Sequence, residues 1–177
     1  MLHKSDYVKE GIPIVNPMNM VDRRITADQR MLISEGTRER LKKYMLRGGD
    51  IVIARRGNLE KCAVVTADQE GWLCGTGSFF LRLIAVNLEF FTMMYCSTKF
   101  QTYLLQDSIG QTMDNLNQTL LIKMPVGLPP LAEQKAIVSR VDRLLAMVDE
   151  PETQVTERKA QAEALMQAVL REAFQGK

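Results

Sequence analysis

Apolar positions change their rhythm near residue 128. Before it they come in short runs, broken by glycine, proline and polar clusters. "GIPIVN" (11–16) reads as a short strand. The polar stretch "ADQRMLISEGTRERLKKY" has helical tendencies and ends at Gly48-Gly49. "DIVIA" (50–54) alternates and is β-branched, which predicts a strand. "RRGN" (55–58) predicts a turn, because Gly57 permits positive φ and Asn58 tolerates it. "CAVV" (62–65) then completes a hairpin. "WLCGTGSFFLRLI" (72–84) is β-like, and its Gly75 and Gly77 point to a bulge or a close backbone approach. Asn87 is a suitable N-cap for the helix "LEFFTMMYC", and "TKFQTYLLQ" predicts a second helix. "SIGQTMDNLNQ" (108–118) is a polar loop, and "TLLIKMPV" (119–126) reads as a strand entering a proline pair. Residues 1–128 are thus expected to form a sheet-rich, mixed α+β domain.

Beyond Pro129-Pro130 the rhythm becomes that of a long helix. The prolines favour extended geometry before them and suit a helical first turn after them. Glu133 falls in that first turn, where a carboxylate complements the helix dipole. Val141, Val148, Val155, Ala162 and Val169 recur every seven residues, and Ile137, Leu144 and Leu165 form a companion series. Leu145 and Met166 widen the stripe. This is a coiled-coil seam with one side thickened, over residues 129–177. Pro151 lacks a backbone donor, so a kink or break is expected near "DEPET". A continuous helix of about 45 residues would span roughly 65–70 Å. It would outrun a small domain, so its stripe needs a partner unless the helix folds back on its own sheet.

Composition narrows the chemistry. The 177 residues are 46% hydrophobic and 25% charged, an ordinary globular balance. No apolar run approaches a membrane span, and "MLHKSDYVKEG" lacks the apolar stretch of a secretory signal. Cys62, Cys74 and Cys96 are odd in number and lack metal-site spacing, and they read as reduced cysteines of a cytoplasmic protein. His3 is the only histidine, which argues against Ser-His-Asp, Cys-His and most zinc hydrolase chemistry. The net charge is only +2, but residues 1–60 hold 12 Lys/Arg against 8 Asp/Glu. Within them, 38–56 form a local basic excess that suits a polyanion, although scattered surface charge would look the same.

Two glycine- or proline-bearing motifs carry no chemistry of their own. "GTGS" (75–78) lacks the Lys-Ser/Thr of a P-loop. "NPMN" (16–19) faintly resembles an amino-methyltransferase motif but lacks its second proline and its aromatic residue. No paired carboxylates suggest glycosidase or metal-nuclease work, and no metal site is expected. Asn and Gln can read adenine and Arg can read guanine. The physical candidates for DNA contact are therefore Arg23, Arg24, Lys42, Lys43 and Arg47 in the basic first sixty residues. Arg55, Arg56, Asn58 and Lys61 belong to the hairpin, Thr76 to the glycine motif, and Gln111, Thr112, Asn115 and Asn117 to the polar loop. A loop rich in turn-formers is the plainer reading of the last four.

"GDIVIARRG…KCAVV…GWLCGTGSFFLRL", "GQTMDNLNQTLLIKMPVGLPPLAEQKAIVSRVDRLLAMVDE" and "LMQAVLREAFQGK" resemble the specificity subunit (HsdS) of type I restriction–modification systems. The similarity extends to "YVKEGIPIVNPMNM" and is densest from Gly110 to Glu150. It implies a non-catalytic, cytoplasmic protein that recognises double-stranded DNA. A typical member has two target recognition domains, each followed by a long helix. The helices pack antiparallel, space two DNA half-sites and dock the modification subunits. S-adenosylmethionine and ATP are then expected only on partner subunits, with the motor subunit joined indirectly and no cofactor on this chain. "LPPLAEQKAIVSRVDRLL" (128–145) matches the start of such a helix, and "LREAFQGK" (170–177) its end.

This chain departs from that pattern in having one recognition domain and one helix. It is half of a longer subunit, a naturally short one, or a fragment. In the latter two cases a homodimer through Ile137, Val141, Leu144, Leu145, Val148, Val155, Ala162, Leu165, Met166 and Val169 would restore the pair and read an interrupted palindrome. The alternative is an interaction protein whose helix pairs with, or titrates, other specificity or modification subunits without binding DNA.

Overall fold

The computed structural model describes residues 2–106, Leu116 and residues 118–175. The chain divides into two compact units, Met1–Gln134 and Lys135–Lys177.

The first unit contains two small sheets and a separate hairpin. Strands β1 (Tyr7–Val8), β2 (Ile12–Val15), β3 (Met20–Val21), β4 (Arg24–Ile25) and β5 (Leu32–Ile33) precede helix α1 (Glu35–Arg40). Strands β6 (Ile51–Ala54), β7 (Cys62–Val64), β8 (Leu73–Cys74) and β9 (Ser78–Leu81) follow. One sheet has the order β1-β5-β2-β8, with β2 and β8 parallel. The other is antiparallel, in the order β7-β6-β9. β3 and β4 pair across Asp22 and Arg23, both at positive φ. That is the geometry of a tight two-residue hairpin turn, here built without glycine.

β6 is the organising strand. All four of its residues are buried, and they alternate between two cores. Val52 and Ala54 pack with Val15, Met20, Ile25, Leu46 and Ala63. Ile51 and Ile53 pack with Phe91, Tyr95, Phe100 and Leu104. The latter four come from helices α2 (Leu88–Tyr95) and α3 (Thr98–Gln106), which cover that face. Asn87 caps α2 as its sequence predicts, accepting from the Phe90 amide at 2.8 Å. Asp50, just before β6, is a buried carboxylate. It accepts from Arg82 Nε and Nη2 at 2.8 and 2.7 Å and from the Arg47 amide at 2.8 Å. The bond to Asp50 holds the Arg82 guanidinium above its usual range.

Two expectations about the first 128 residues need correction. The stretch at 119–126 is not a strand: it forms α4 (Gln118–Lys123) followed by extended chain. Leu121 and Met124, three residues apart, pack on the second core, while Ile122 between them is 81% exposed. That spacing suits one helical face, and packing overrides the strand propensity of the segment. Within the stretch of helical tendency, only Glu35–Arg40 and a 3-10 turn at Lys42–Tyr44 are helical, because Leu32–Ile33 pair with β1 and β2. The fold is α+β.

α5 (Leu131–Gln175) begins in the first unit and makes up the second. Its 45 residues continue through Pro151, where a kink or a break was expected, so the helix is not broken there. The missing donor costs about 3 kcal/mol at one position. Strong helix formers on both sides restore a hydrogen bond at each further residue and outweigh that cost. Along the second unit Leu144, Leu145, Val148, Val155, Leu165, Met166 and Val169 are all exposed on the single chain. None of its helical length meets the hydropathy of a membrane-crossing segment among the described residues.

Candidate nucleic-acid interface

The turn between β6 and β7 builds the centre of the site. Gly57 takes φ +73, and Asn58 Oδ1 accepts from the Glu60 amide at 2.9 Å. The backbone of Arg55 is tied on both sides. Its amide donates to Gly77 O at 2.9 Å, and its carbonyl accepts from the Leu116 amide at 2.8 Å. Its guanidinium lies 5.2 Å from the centre of the Phe79 ring. The Arg55 Nε is buried and has no hydrogen-bond partner among the described residues. Arg55 is thus held before any ligand arrives, its backbone by two separate segments and its guanidinium beside the Phe79 ring.

Arg55 and Arg56 share a groove of about 560 Å³ with Thr76, Tyr44, Phe79 and Phe80. Lys43 Nζ sits 4.9 Å from the centre of the Tyr44 ring. Four candidates from three stretches of sequence (Lys43, the Arg55-Arg56 pair and Thr76) therefore meet at or beside one groove. Cys74 also lines it, with a thiol pushed up to about 12 by burial.

The remaining described candidates do not line this groove. Lys61 Nζ donates to Pro17 O at 3.1 Å and so braces the hairpin against the Pro17–Asn19 turn. Asn58 spends its side-chain oxygen on that local turn. Lys42 pairs with Glu39 at 3.3 Å on the surface. Arg47 is exposed beside the Asp50 anchor. Arg23 and Arg24 lie on the β3–β4 hairpin. Gln111, Thr112, Asn115 and Asn117 lie outside the described residues.

The two motifs set aside as chemically silent pack on each other. A Cβ on Gly75 would overlap the Asn16 side-chain amide, and one on Gly77 would lie 3.0 Å from Pro17 Cδ. The Gly77 amide donates to Asn16 Oδ1 at 3.4 Å. The glycines are there for close approach, as the strand pattern predicts. Their packing against Asn16-Pro17 shapes the wall that carries Thr76.

Sequence reading missed Gln134. It is 1% exposed, its Oε1 accepts from the Asn87 amide at 2.8 Å, and its Nε2 donates to Pro129 O at 2.8 Å. The only available signal was a polar residue in the first turn after "LPPLAE". Among the described residues no cluster of three or more His, Cys, Asp or Glu could hold a metal.

The first unit carries the basic groove, and one long apolar-striped helix follows it in sequence. The family model "Type I restriction modification DNA specificity domain" matches residues 2–158, and the chain belongs to that family. It is 26% identical over 177 residues to the EcoBI specificity subunit of Escherichia coli, covering 99% of this chain and 37% of the relative. It is 30% identical over 162 residues to the StySPI specificity subunit of Salmonella potsdam, covering 86% and 34%. The HsdS subunit from Thermoanaerobacter tengcongensis superposes with a TM-score of 0.71 at 25% identity, over 91% of this chain and 42% of that one. A chain of another type I system has the same fold, with a TM-score of 0.72 at 22% identity, over 98% and 41%. The chain spans about a third of the length of the curated relatives it matches.

Proposed function

We propose that this chain is a non-catalytic, sequence-specific DNA-recognition module that acts in the cytoplasm. Residues 1–128 would contact DNA. Residues 129–177 would form the spacer helix that docks modification subunits, through which a motor subunit joins indirectly. The observation that carries this reading is the set Arg55, Arg56 and Thr76, held around one groove with an aromatic floor on a chain of this family. A guanidinium fixed in advance loses little entropy on binding, which favours base readout. A neighbouring exposed arginine favours a phosphate. S-adenosylmethionine and ATP belong to the partner subunits in this scheme.

The exposed stripe of α5 supports self-association. A second copy packed antiparallel would cover Leu144, Leu145, Val148 and Val155 and would set two identical modules a helix length apart. The target would then be an interrupted palindrome. The same stripe favours a second reading, in which the chain pairs with other specificity or modification subunits and binds no DNA itself.

Titration against a randomised pool of bipartite duplexes, with and without modification subunits, tests the proposal. Selection of one interrupted motif, with affinity falling steeply in salt, is the expected result. Assembly with modification subunits and no sequence preference in either condition would leave the second reading.

A further inference from the structure

Cys62 and Cys96 are 34 residues apart in sequence, and their sulfurs lie 3.4 Å apart. Cys62 opens β7 and is buried, whereas Cys96 ends α2 and is exposed. The contact follows from how α2 sits on the sheet. The hydroxyl of the fully buried Tyr95 donates to Leu59 O at 2.7 Å, and Cys96 Sγ lies 3.4 Å from Glu60 O. Tyr95 thus fastens the end of α2 to a carbonyl just before β7, which brings the two thiols together.

We propose that Cys62 and Cys96 form a redox-modification site, at which a hydroperoxide converts the two thiols into an intramolecular disulfide. The exposed Cys96 thiolate attacks a peroxide oxygen. The O–O bond breaks, the leaving oxygen takes up a proton and departs as an alcohol or water, and Cys96 becomes a sulfenic acid. Cys62 then attacks that sulfur, the S–S bond forms, and the S–O bond breaks to release water that carries the Cys62 proton. Two thiols are oxidised by two electrons, and the peroxide is reduced by the same two.

The surroundings suit each role. A hydrogen bond from Cys62 and then the charge of Arg23 hold the Cys96 thiol down at about 7, so it ionises near neutral pH. Cys62 is held well up, first by its hydrogen bond to Cys96 and then by burial. Oxidation of Cys96 removes the first of these causes and makes Cys62 easier to ionise when it must attack. Cys74, buried and held at about 12, does not compete. The ring closed by the bond runs from Cys62 to Cys96 and includes Thr76 and Phe79 of the groove.

The test treats the reduced full chain with hydrogen peroxide, blocks remaining thiols with an alkylating agent, and maps peptides without reduction. The expected product has lost two hydrogens, links the Cys62 and Cys96 peptides, carries the alkyl group on Cys74, and returns to the starting mass with dithiothreitol. Cys62→Ser and Cys96→Ser should each abolish the linked peptide, and Cys74→Ser should leave it unchanged. Oxidised protein should melt several degrees higher, because the bond shortens the open ring of the unfolded chain. Bonds to Cys74 or between chains, oxygen retained on Cys96 with Cys62 free, or no reaction would each overturn the proposal. The peptide map of the unaltered chain decides the matter even if a variant does not fold.

Discussion

Gln134 Oε1 lies 2.8 Å from the backbone nitrogen of Asn87, and this bond fastens the first turn of the long helix to the first turn of α2. The same side chain donates to Pro129 O and is almost wholly buried. It joins the segment after the proline pair to the helix layer that covers β6. Gln134→Ala would leave a buried amide and a carbonyl without partners, at about 2 kcal/mol. Urea unfolding followed by far-ultraviolet circular dichroism should show that loss in the midpoint, and amide exchange at Asn87 should quicken. An unchanged midpoint and exchange rate would show that the contact contributes nothing.

Arg55 and Arg56 are adjacent in sequence but differently held, and their substitutions should separate. Arg55→Ala is expected to lose about 1–3 kcal/mol of discrimination at one base pair of the selected duplex. Arg56→Ala is expected to weaken binding to every sequence alike and to reduce the salt slope by about 1. Fluorescence anisotropy against single-base variants, at several salt concentrations, distinguishes the two patterns.

Leu144 and Val148 are four residues apart and about half exposed on the isolated chain. If a second copy covers them, Leu144→Asp with Val148→Asp places charge in an apolar seam and costs several kcal/mol, on the order of 3 or more. Light scattering should then report twice the chain mass for the parent and the single mass for the variant. Equal masses for both would refute the helix-mediated dimer.

The state of Cys96 should follow pH with a definite sign. A thiol held at about 7 loses its proton earlier in the folded chain than in the unfolded one. Its contribution to stability is full above the ordinary thiol range near 8.5 and is lost as pH falls through 7. Iodoacetamide should alkylate Cys96 with a midpoint near pH 7. Cys62→Ser, which weakens the hydrogen bond, and Arg23→Gln should both move that midpoint upward. A parent midpoint near 8.5 would contradict the assigned environment.

The hairpin around "RRGN", the cap at Asn87, the close approach at Gly75 and Gly77, and the striped helix were all legible in the sequence. Each rests on a local rule: φ freedom, an oxygen near orphan amides, a missing Cβ, or a period near seven. α4 was not legible, because Leu121 within it and Met124 just after it take their places by packing on a core that distant helices help to build. Gln134 was hidden for a related reason. A glutamine in a helical first turn is usually solvated, and only the approach of Asn87 makes it an anchor.

By itself, the sequence determined an α+β domain followed by one long apolar-striped helix, and its motifs pointed to the specificity-subunit family. Local propensity and periodicity suffice for that, because they act over a few residues at a time. The tertiary structure decided which candidates share a groove: Arg55, Arg56 and Thr76 do, while Lys61 is committed to Pro17 as a brace. It also placed two cysteines 34 residues apart in sulfur contact. Those relations depend on how α2 and β9 pack against β6 and β7, and long-range packing has no signature in local spacing.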